Sequence, residues 1–405
     1  MGVLEEIERI VLGSELSVPE KEARVIARLV ECGVPAAAEC LVATSDSRVA
    51  SFVAVYLEMV PGAEAEKTRA AERLRGTTGD LVRAASRLVR WLPGSLLDAY
   101  VQDYLAAPEP DSPLSSVLFS IAVHHPERVR PHADRVESPS VQRILLSGAP
   151  DEVADRLFAR WHETRDLDHL HDLALIRTEH AADLVQSLKS DRELMEDWDW
   201  LMPLAGRLPY AGAPAGFRPA FAGFVADAGA SPHVMGGVPT GDVPLCADCG
   251  APAERVLTLS ARDLPHALTR DPSFYWFTCD CLEVDRIVVG FTSNGVHVHF
   301  GPQGPGGSSD RHVVPGERSM VLEPHPNQIG FSLPAIAGRS RHQVGGLPHW
   351  PSPETHPFCP GCGDFMPFLM AIDSGPTPFG AMGFESLLFG FWCDPCAVSA
   401  TQIQF

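Results

Sequence analysis

Residues 236–405 contain the same block of sequence twice. Each copy begins with Gly-Gly-x-Pro, at Gly236 or Gly345, and continues with Cys-x-x-Cys-Gly, an apolar strand, and an aromatic strand followed by two more cysteines. From the second to the third cysteine is 30 positions in the first copy (249 to 279) and 31 in the second (362 to 393). Two quartets with matched spacing predict two metal sites. The quartets are Cys246, Cys249, Cys279 and Cys281 in the first copy, and Cys359, Cys362, Cys393 and Cys396 in the second.

Four cysteines are the ligand set of a closed structural zinc site. A Cys-x-x-Cys pair places two thiolates on one tight turn, and the glycine after each pair, Gly250 or Gly363, suits a knuckle that needs positive φ. We therefore expect two structural zinc ions, one within each copy, and each contributes on the order of 10 kcal/mol to folding. Because four thiolates leave no open position, we expect no catalytic role for the metal.

Other uses of the thiols stay open at this level. The pairs could form redox-active dithiols or disulfides, and cysteines could pair across the two copies. Cys279 and Cys281 depart from the usual pattern, because Cys-x-Cys has a tighter bite than Cys-x-x-Cys. Cys32 and Cys40 lie outside the duplicated block and are interpreted as small, buried apolar residues.

The remaining candidate side chains receive structural interpretations. His297 and His299 alternate onto one face of a strand and are expected to be exposed. His349 and His356 precede the second knuckle, where four cysteines already complete the tetrahedron. The sequence has no nucleophile elbow, phosphate-binding loop, dinucleotide fingerprint or His-Glu-x-x-His motif. One acidic and histidine-rich cluster is expected to be a solvated helix face, and it consists of Asp166, Asp168, His169, His171 and Asp172.

The chain is acidic, with a formal net charge of −20. Residues 231–405 contain 8 arginines against 16 aspartates and glutamates, and no lysine. Such a charge repels nucleic acid, so we expect a protein partner, and a basic one, rather than nucleic acid. No apolar run of about 18 residues and no signal-peptide pattern occurs, so we expect a cytoplasmic protein without a membrane partner. The excess of arginine over lysine is typical of a GC-rich bacterial genome.

Residues 1–207 predict an all-α domain. Ser17 and Glu20 form a capping box at the start of one helix, and Gly33 is placed as its C-terminal cap. Further amphipathic segments of roughly 10 to 15 residues follow, separated by proline and glycine breaks. Many short helices without a strand pattern favour stacked helix pairs, as in a HEAT-like helical repeat, with an irregular helical domain as the alternative.

The rest of the chain predicts a linker and a β-rich domain. Residues 208–232 are rich in Gly, Ala and Pro and are interpreted as the linker. Residues 233–405 form the β-rich domain, with zinc-knuckle repeats at about 236–300 and 345–405. The fold class is therefore an α + β multidomain protein in which a helical-repeat domain precedes a duplicated zinc-binding domain.

Two short segments between the copies have their own signatures. Asn294-Gly295 lies between two apolar runs and predicts a hairpin turn. Residues 301–310, GPQGPGGSSD, predict a flexible loop.

The two blocks resemble the programmed cell death protein 2 family and a related set of bacterial domains of unknown function. The resemblance covers residues 236–405 and is carried best by Gly345 to Trp350, by Cys359 to Gly363 and by Phe368 to Met370. The first copy lacks the counterpart of Trp350. In eukaryotes that family is associated with escorting a newly made ribosomal protein. The resemblance implies a zinc-stapled β domain that binds protein, and it does not identify the client.

These observations favour a non-enzymatic, zinc-binding protein that acts as a protein-interaction or chaperone-like module. One alternative is an enzyme whose site lies in the cleft between the halves, with zinc purely structural. A second alternative is a nucleic-acid-binding zinc protein, which the charge disfavours. The side chains to inspect for the enzyme alternative are His342, Gln343, His349, Asp364 and Asp373.

Overall fold

The computed structural model has an N-terminal helical region and a C-terminal antiparallel sheet. This order confirms the predicted arrangement of an α part before a β part. The structure describes residues 2–77, 79–191, 194, 197–207, 220–237, 239, 241–265, 267–281, 284–293, 295–304, 306, 312–326, 342–348 and 356–404.

The helical region is built from α-helices of 4 to 26 residues and short 3₁₀ helices. The 3₁₀ helices are Gly79–Arg87, Val89–Trp91 and Arg130–Arg135, with a further one, Ala261–Asp263, in the sheet region. The α-helices are α1 (Val3–Leu12), α2 (Val18–Ala43), α3 (Ser47–Met59), α4 (Glu64–Arg75), α5 (Gly94–Ala106), α6 (Pro113–His124), α7 (Pro126–Val129), α8 (Pro139–Ile144), α9 (Asp151–Thr164), α10 (Leu167–Ile176), α11 (Glu179–Ser187) and α12 (Trp198–Leu204).

Helix α2 begins as the sequence predicts, and it consists of two helical segments that meet at Gly33. The amide of Ser17 donates to the carboxylate of Glu20 at 2.8 Å, which is the expected capping box. At Gly33, φ is +81°, so the regular helix is interrupted at the predicted cap. The chain then re-enters a helix around Pro35, which needs no amide donor in a first turn, and continues to Ala43. Gly33 therefore ends the first helical segment of α2, as predicted, and a second segment follows it after a kink.

The helical region has two apolar cores. One joins the helices from α1 to α8, and the second joins α9 to α12 around the buried Trp161. Helices that are neighbours in sequence pack on each other, as α2 does on α3 and α9 on α10.

The described strands form one continuous antiparallel sheet. Its strand order is β4-β3-β2-β7-β1-β8-β9-β10-β11-β5-β6. The strands are β1 (Ala220–Ala226), β2 (Val234–Met235), β3 (Glu254–Thr258), β4 (Ser273–Trp276), β5 (Arg286–Thr292), β6 (Gly295–Phe300), β7 (Arg318–His325), β8 (His342–Gly345), β9 (Phe368–Asp373), β10 (Leu387–Cys393) and β11 (Val398–Gln404).

The two sequence copies exchange their first strands within this sheet. Counted with the strands upstream of its Gly-Gly corner, the first copy starts with β1 and β2, and the second starts with β7 and β8. β1 pairs with β8, and β7 pairs with β2. β1 and β7 pair with each other at the centre, where Gly223 lies opposite Leu322. On either side, β2-β3-β4 and β8-β9-β10 follow in the same order. The bulge in each triplet skips Val256 or Leu369, 113 positions apart, which is also the separation of Cys249 and Cys362.

The linker prediction is wrong for residues 220–226. This segment is β1, a central strand that pairs over its whole length with β7. Its small residues made it look like a linker, but they allow close packing: a Cβ on Gly223 would lie 2.7 Å from Sδ of Met320. Residues 208–219 of the predicted linker lie outside the described residues.

The sheet curls so that β4, at one end of the strand order, lies close to β11 and β5. Side chains from both copies fill the enclosed space, including Met235, Phe274, Met320, Leu388 and Trp392. The hairpin of β5 and β6 has the predicted antiparallel pairing, and Asn294 of its turn lies outside the described residues.

The helical region docks on the centre of the sheet through the 3₁₀ helix Val89–Trp91. The Trp91 ring packs on Phe224 of β1 at 5.7 Å, and Arg90 forms an ion pair with Glu323 of β7 at 3.3 Å. Behind Trp91, the ammonium of Lys67 lies 3.4 Å from the ring centroid and is completely buried. Burial lowers the pKa of Lys67 to about 7.

Candidate metal centres

Each Cys-x-x-Cys pair lies on a tight turn whose backbone hydrogen bonds are the same in both copies. In the first knuckle the amide of Cys246 donates to the carbonyl of Ala251 at 2.8 Å, and the amide of Gly250 donates to the carbonyl of Cys246 at 2.9 Å. Gly250 has φ of +71° and Gly363 has φ of +77°, as the knuckle prediction requires. The second knuckle has the same two bonds at 2.8 Å, from Cys359 to Asp364 and from Gly363 to Cys359.

The structure gathers the cysteines into two groups of four, one within each copy. In each group the four sulfur atoms all lie within 4.8 Å of one another. Both groups are therefore positioned to hold a metal ion. The groups are Cys246, Cys249, Cys279 and Cys281, and Cys359, Cys362, Cys393 and Cys396.

The sulfur spacing fits a tetrahedral metal with thiolate ligands. The Sγ atoms of Cys246 and Cys281 are 3.7 Å apart, and those of Cys362 and Cys393 are 3.8 Å apart. A tetrahedron with metal–sulfur bonds of about 2.3 Å has sulfur–sulfur edges of about 3.8 Å. A disulfide would need about 2.05 Å, and all eight cysteines are free.

In each group the first cysteine has a lowered pKa, which favours its thiolate form. Burial raises the pKa of Cys246, but hydrogen bonds from the amides of Cys249 and Asp248 outweigh this effect, and the pKa falls to about 7. Burial likewise raises the pKa of Cys359, and the amides of Cys362 and Gly361 lower it below its ordinary value. Thiolates are the ligand form of cysteine, so the knuckle amides favour metal binding.

Neighbouring glycines let the backbone approach both sulfur groups. A Cβ on Gly361 would lie 3.0 Å from Sγ of Cys396, and one on Gly306 would lie 2.2 Å from the amide nitrogen of Cys281. The amide of Gly304 also donates to the carboxylate of Asp248 at 2.7 Å. The predicted flexible loop is thus anchored on the first knuckle at Gly304 and Gly306, while residues 305 and 307–310 lie outside the described residues.

Sequence reasoning named His342 as a candidate for an enzyme site but missed its buried counterpart in the first copy, His233. Nδ1 of His233 accepts a hydrogen bond from the amide of Ser260 at 3.1 Å, and Nδ1 of His342 accepts one from the amide of Asp373 at 3.2 Å. The signal was present as His-x-x-Gly-Gly, beginning at residues 233 and 342. Each histidine ties its strand to the end of the third strand of its copy, β3 or β9.

We expect His342 to make the stability of the sheet depend on pH. Burial lowers its pKa from 6.5 to about 4, below the unfolded-state value. Its contribution is therefore complete above about pH 6.5 and is lost as the pH falls towards 4, by on the order of 3 kcal/mol. The free energy of unfolding, measured by urea denaturation at several pH values in this range, should change less steeply with pH in His342→Asn than in the wild type. The exposed control His162→Asn should keep the wild-type dependence on pH. Equal slopes in all three proteins would contradict this role of His342.

The repeated Gly-Gly pairs form corners that other residues do not fit. Gly236 and Gly237 have φ of +58° and +71°, and Gly345 and Gly346 have φ of +69° and +65°. A Cβ on Gly236 would lie 2.3 Å from the carbonyl oxygen of Gly316. The motif therefore reflects both left-handed backbone and close packing.

We expect Gly236→Ala to lower the free energy of unfolding by about 2–3 kcal/mol, because a left-handed alanine costs about 1–2 kcal/mol and the clash adds to it. Gly229→Ala is the matched control, since Gly229 has φ of +83° but no atom within 4 Å of an added Cβ. Urea denaturation of both variants measures the difference in their free energies of unfolding. Equal losses of stability in the two variants would show that the contact with Gly316 does not contribute.

Both metal-binding groups consist of cysteines alone among the described residues, so the other histidine and acidic candidates are not members of them. Nε2 of His297 is 3.3 Å from the Thr292 hydroxyl, and the His356 ring packs on Phe391 at 5.4 Å. The acidic cluster belongs to α10 and its start, where Asp166 accepts from the amide of Asp168. His349 lies outside the described residues.

Two of the residues considered for an enzyme site, His342 and Gln343, hold backbone groups of the sheet. His342 holds the amide of Asp373, as described above, and the Gln343 amide donates to the carbonyls of Gly345 and Leu347, both at 2.7 Å. Asp364 lies in the second knuckle, apart from these buried contacts in the sheet.

Comparison of the chain with protein-family models, with curated proteins and with solved structures finds no match in any of the three. The resemblance drawn from the motifs therefore stays a prediction.

Within the part of the chain that the structure describes, no helix has both the length and the apolar character needed to cross a membrane.

Proposed function

We propose that this protein is a non-enzymatic interaction module in which two zinc ions staple a shared sheet and the surface around them binds a protein partner. Cysteine favours zinc among the common structural metals, and the observed sulfur edges suit a closed tetrahedral site. The helical region would act as a HEAT-like repeat that presents a second binding surface. A cytoplasmic, reducing location would keep the thiols available for metal.

The observation that carries the proposal is an exposed apolar side chain at the same position of each knuckle. Leu245 and Phe358 directly precede the first cysteine of their quartets, and they are 55% and 58% exposed. Each lies in the same bridge, to Pro252 or Phe365, at the base of its knuckle. Isolated exposed apolar residues are ordinary, but two at equivalent places beside rigid metal sites form repeated contact points.

The charge supports a basic partner. The chain carries −20, and an acidic protein associates fastest with a basic surface. The resemblance to the programmed cell death protein 2 family favours the same class of function, an escort or chaperone-like role, without naming the client.

A comparative pull-down tests the proposal. Tagged wild-type protein should retain a specific protein under native conditions, and the retained amount should fall as salt rises. Leu245→Ser with Phe358→Ser should lose that protein while keeping both metal ions. The matched control is Leu12→Ser with Leu167→Ser, which changes helix side chains that are 44% and 41% exposed. Failure of the wild type to retain any protein at any salt concentration would refute the proposal.

A further inference from the structure

A groove of about 650 Å³ opens beside the end of β4 and the start of β5. Its apolar lining includes Trp276, Phe277, Ile287, Phe384 and Ile403. These residues come from β4 and the position after it, from β5 and β11, and from the segment before β10. The volume is in the range of sites that take a few side chains of a bound segment.

The groove exists because the two copies differ at this edge. In the second copy, β10 has β9 on one side and β11 on the other. In the first copy, β4 is the counterpart of β10, but β5 leaves it and pairs with β11 instead. Among the described strands, β4 therefore ends the strand order with one side unpaired, and the groove lies next to it. A groove beside a strand edge suits an extended segment rather than a helix.

The rim of the groove is acidic. Asp285 and Glu385 both line the groove and are exposed. Asp285 directly precedes β5, and Glu385 lies in the segment before β10. None of the described lining residues is Lys, Arg or His. The adjacent Arg286 packs its guanidinium 5.7 Å from the centroid of the Phe300 ring on β6 and is not among the lining residues.

We propose that this groove binds an extended, basic segment of a partner protein. An apolar side chain of the segment enters between Ile287, Phe384 and Ile403, and a flanking lysine or arginine pairs with Asp285 or Glu385. This inference rests on the proposed function, since it assigns the place and the chemistry of partner binding.

A defined peptide tests the groove directly. The probe is a fluorescein-labelled octapeptide of alternating lysine and leucine, and its counterpart has glutamate in place of lysine. Fluorescence anisotropy should show binding of the lysine peptide alone, weaker at physiological than at low salt. Asp285→Asn with Glu385→Gln should weaken it by about tenfold, the effect of two exposed charge pairs. The control Glu152→Gln with Glu163→Gln removes two exposed charges from α9, so the net charge is the same, and binding should stay within about twofold of wild type.

The apolar half of the site has its own variant. Phe384→Ala should also weaken binding of the lysine peptide while leaving the metal content unchanged. If this variant does not fold, the charge variants alone test whether the peptide binds in the groove. Equal weakening by groove and control charge variants, or equal binding of the glutamate peptide, would overturn the inference. Self-association of the wild type that the groove variant abolishes would assign the groove to a second copy of this chain instead, and would also overturn it. A cellular partner retained by the groove variant and lost by the Leu245 and Phe358 variant would refute the groove and leave the proposed function standing.

Discussion

Cys393→Ser should reduce the metal content from two ions per chain to one and abolish cooperative unfolding of the sheet. Cys393 ends β10, its side chain is buried, and its Sγ is 3.8 Å from that of Cys362. The metal would therefore join the second knuckle to a strand that pairs with both β9 and β11. Loss of such an ion costs on the order of 10 kcal/mol, which is comparable with the whole free energy of unfolding of a typical domain. The helical region has its own cores, so its transition should remain.

Elemental analysis and circular dichroism melting measure these two effects. Cys246→Ser should also remove one ion, because the first group is independent of the second. Cys32→Ser is the control, since Cys32 lies half-buried in α2, and it should keep two ions and the wild-type melting curve. Iron in place of zinc, loss of both ions from either single variant, or a full metal content in Cys393→Ser would contradict the assignment of one closed zinc site to each quartet.

The features that were predictable from the sequence depend on short spacings. A Cys-x-x-Cys-Gly motif encodes its own turn, and the structure has that turn in both copies, with positive φ at Gly250 and Gly363. The strands that follow each knuckle are also found, because apolar and aromatic runs bounded by glycine and proline are local signals. The grouping of cysteines within copies followed from matched distances along the chain.

The features that sequence reasoning missed depend on contacts between distant segments. β1 resembles a linker in composition and becomes a strand only through its pairing with β7 and β8, roughly 100 residues away. The exchange of first strands, which merges the two copies into one sheet, has no local signature. The equivalence of His233 and His342 was recognisable only by aligning the copies upstream of their Gly-Gly corners.

The junction between the halves leads to the second large effect. We expect Trp91→Ala to lower the free energy of unfolding by about 3–5 kcal/mol, the usual loss for a buried aromatic side chain. Trp91 is 8% exposed and fills the space between Phe224 of the sheet and the ammonium of Lys67. Its removal leaves a cavity and also takes away the ring that stabilises a buried cation.

Because the Trp91 contact joins two bodies with separate cores, its loss should also uncouple them. Calorimetry of Trp91→Ala should show the helical and sheet transitions further apart than in the wild type, with the metal content unchanged. Trp91→Phe keeps a ring over Lys67 and should recover much of the loss. Trp200→Ala is the matched control on α12, where the side chain is 40% exposed, and should cost less than about 1 kcal/mol. If Trp91→Ala melted as a single transition at the wild-type temperature, the packing of Trp91 on Phe224 would not be what holds the halves together. Arg90 would then be the residue to test, because the same 3₁₀ helix also reaches the centre of the sheet through the Arg90–Glu323 ion pair and through the Arg90 guanidinium, 5.3 Å from the centroid of the Phe224 ring.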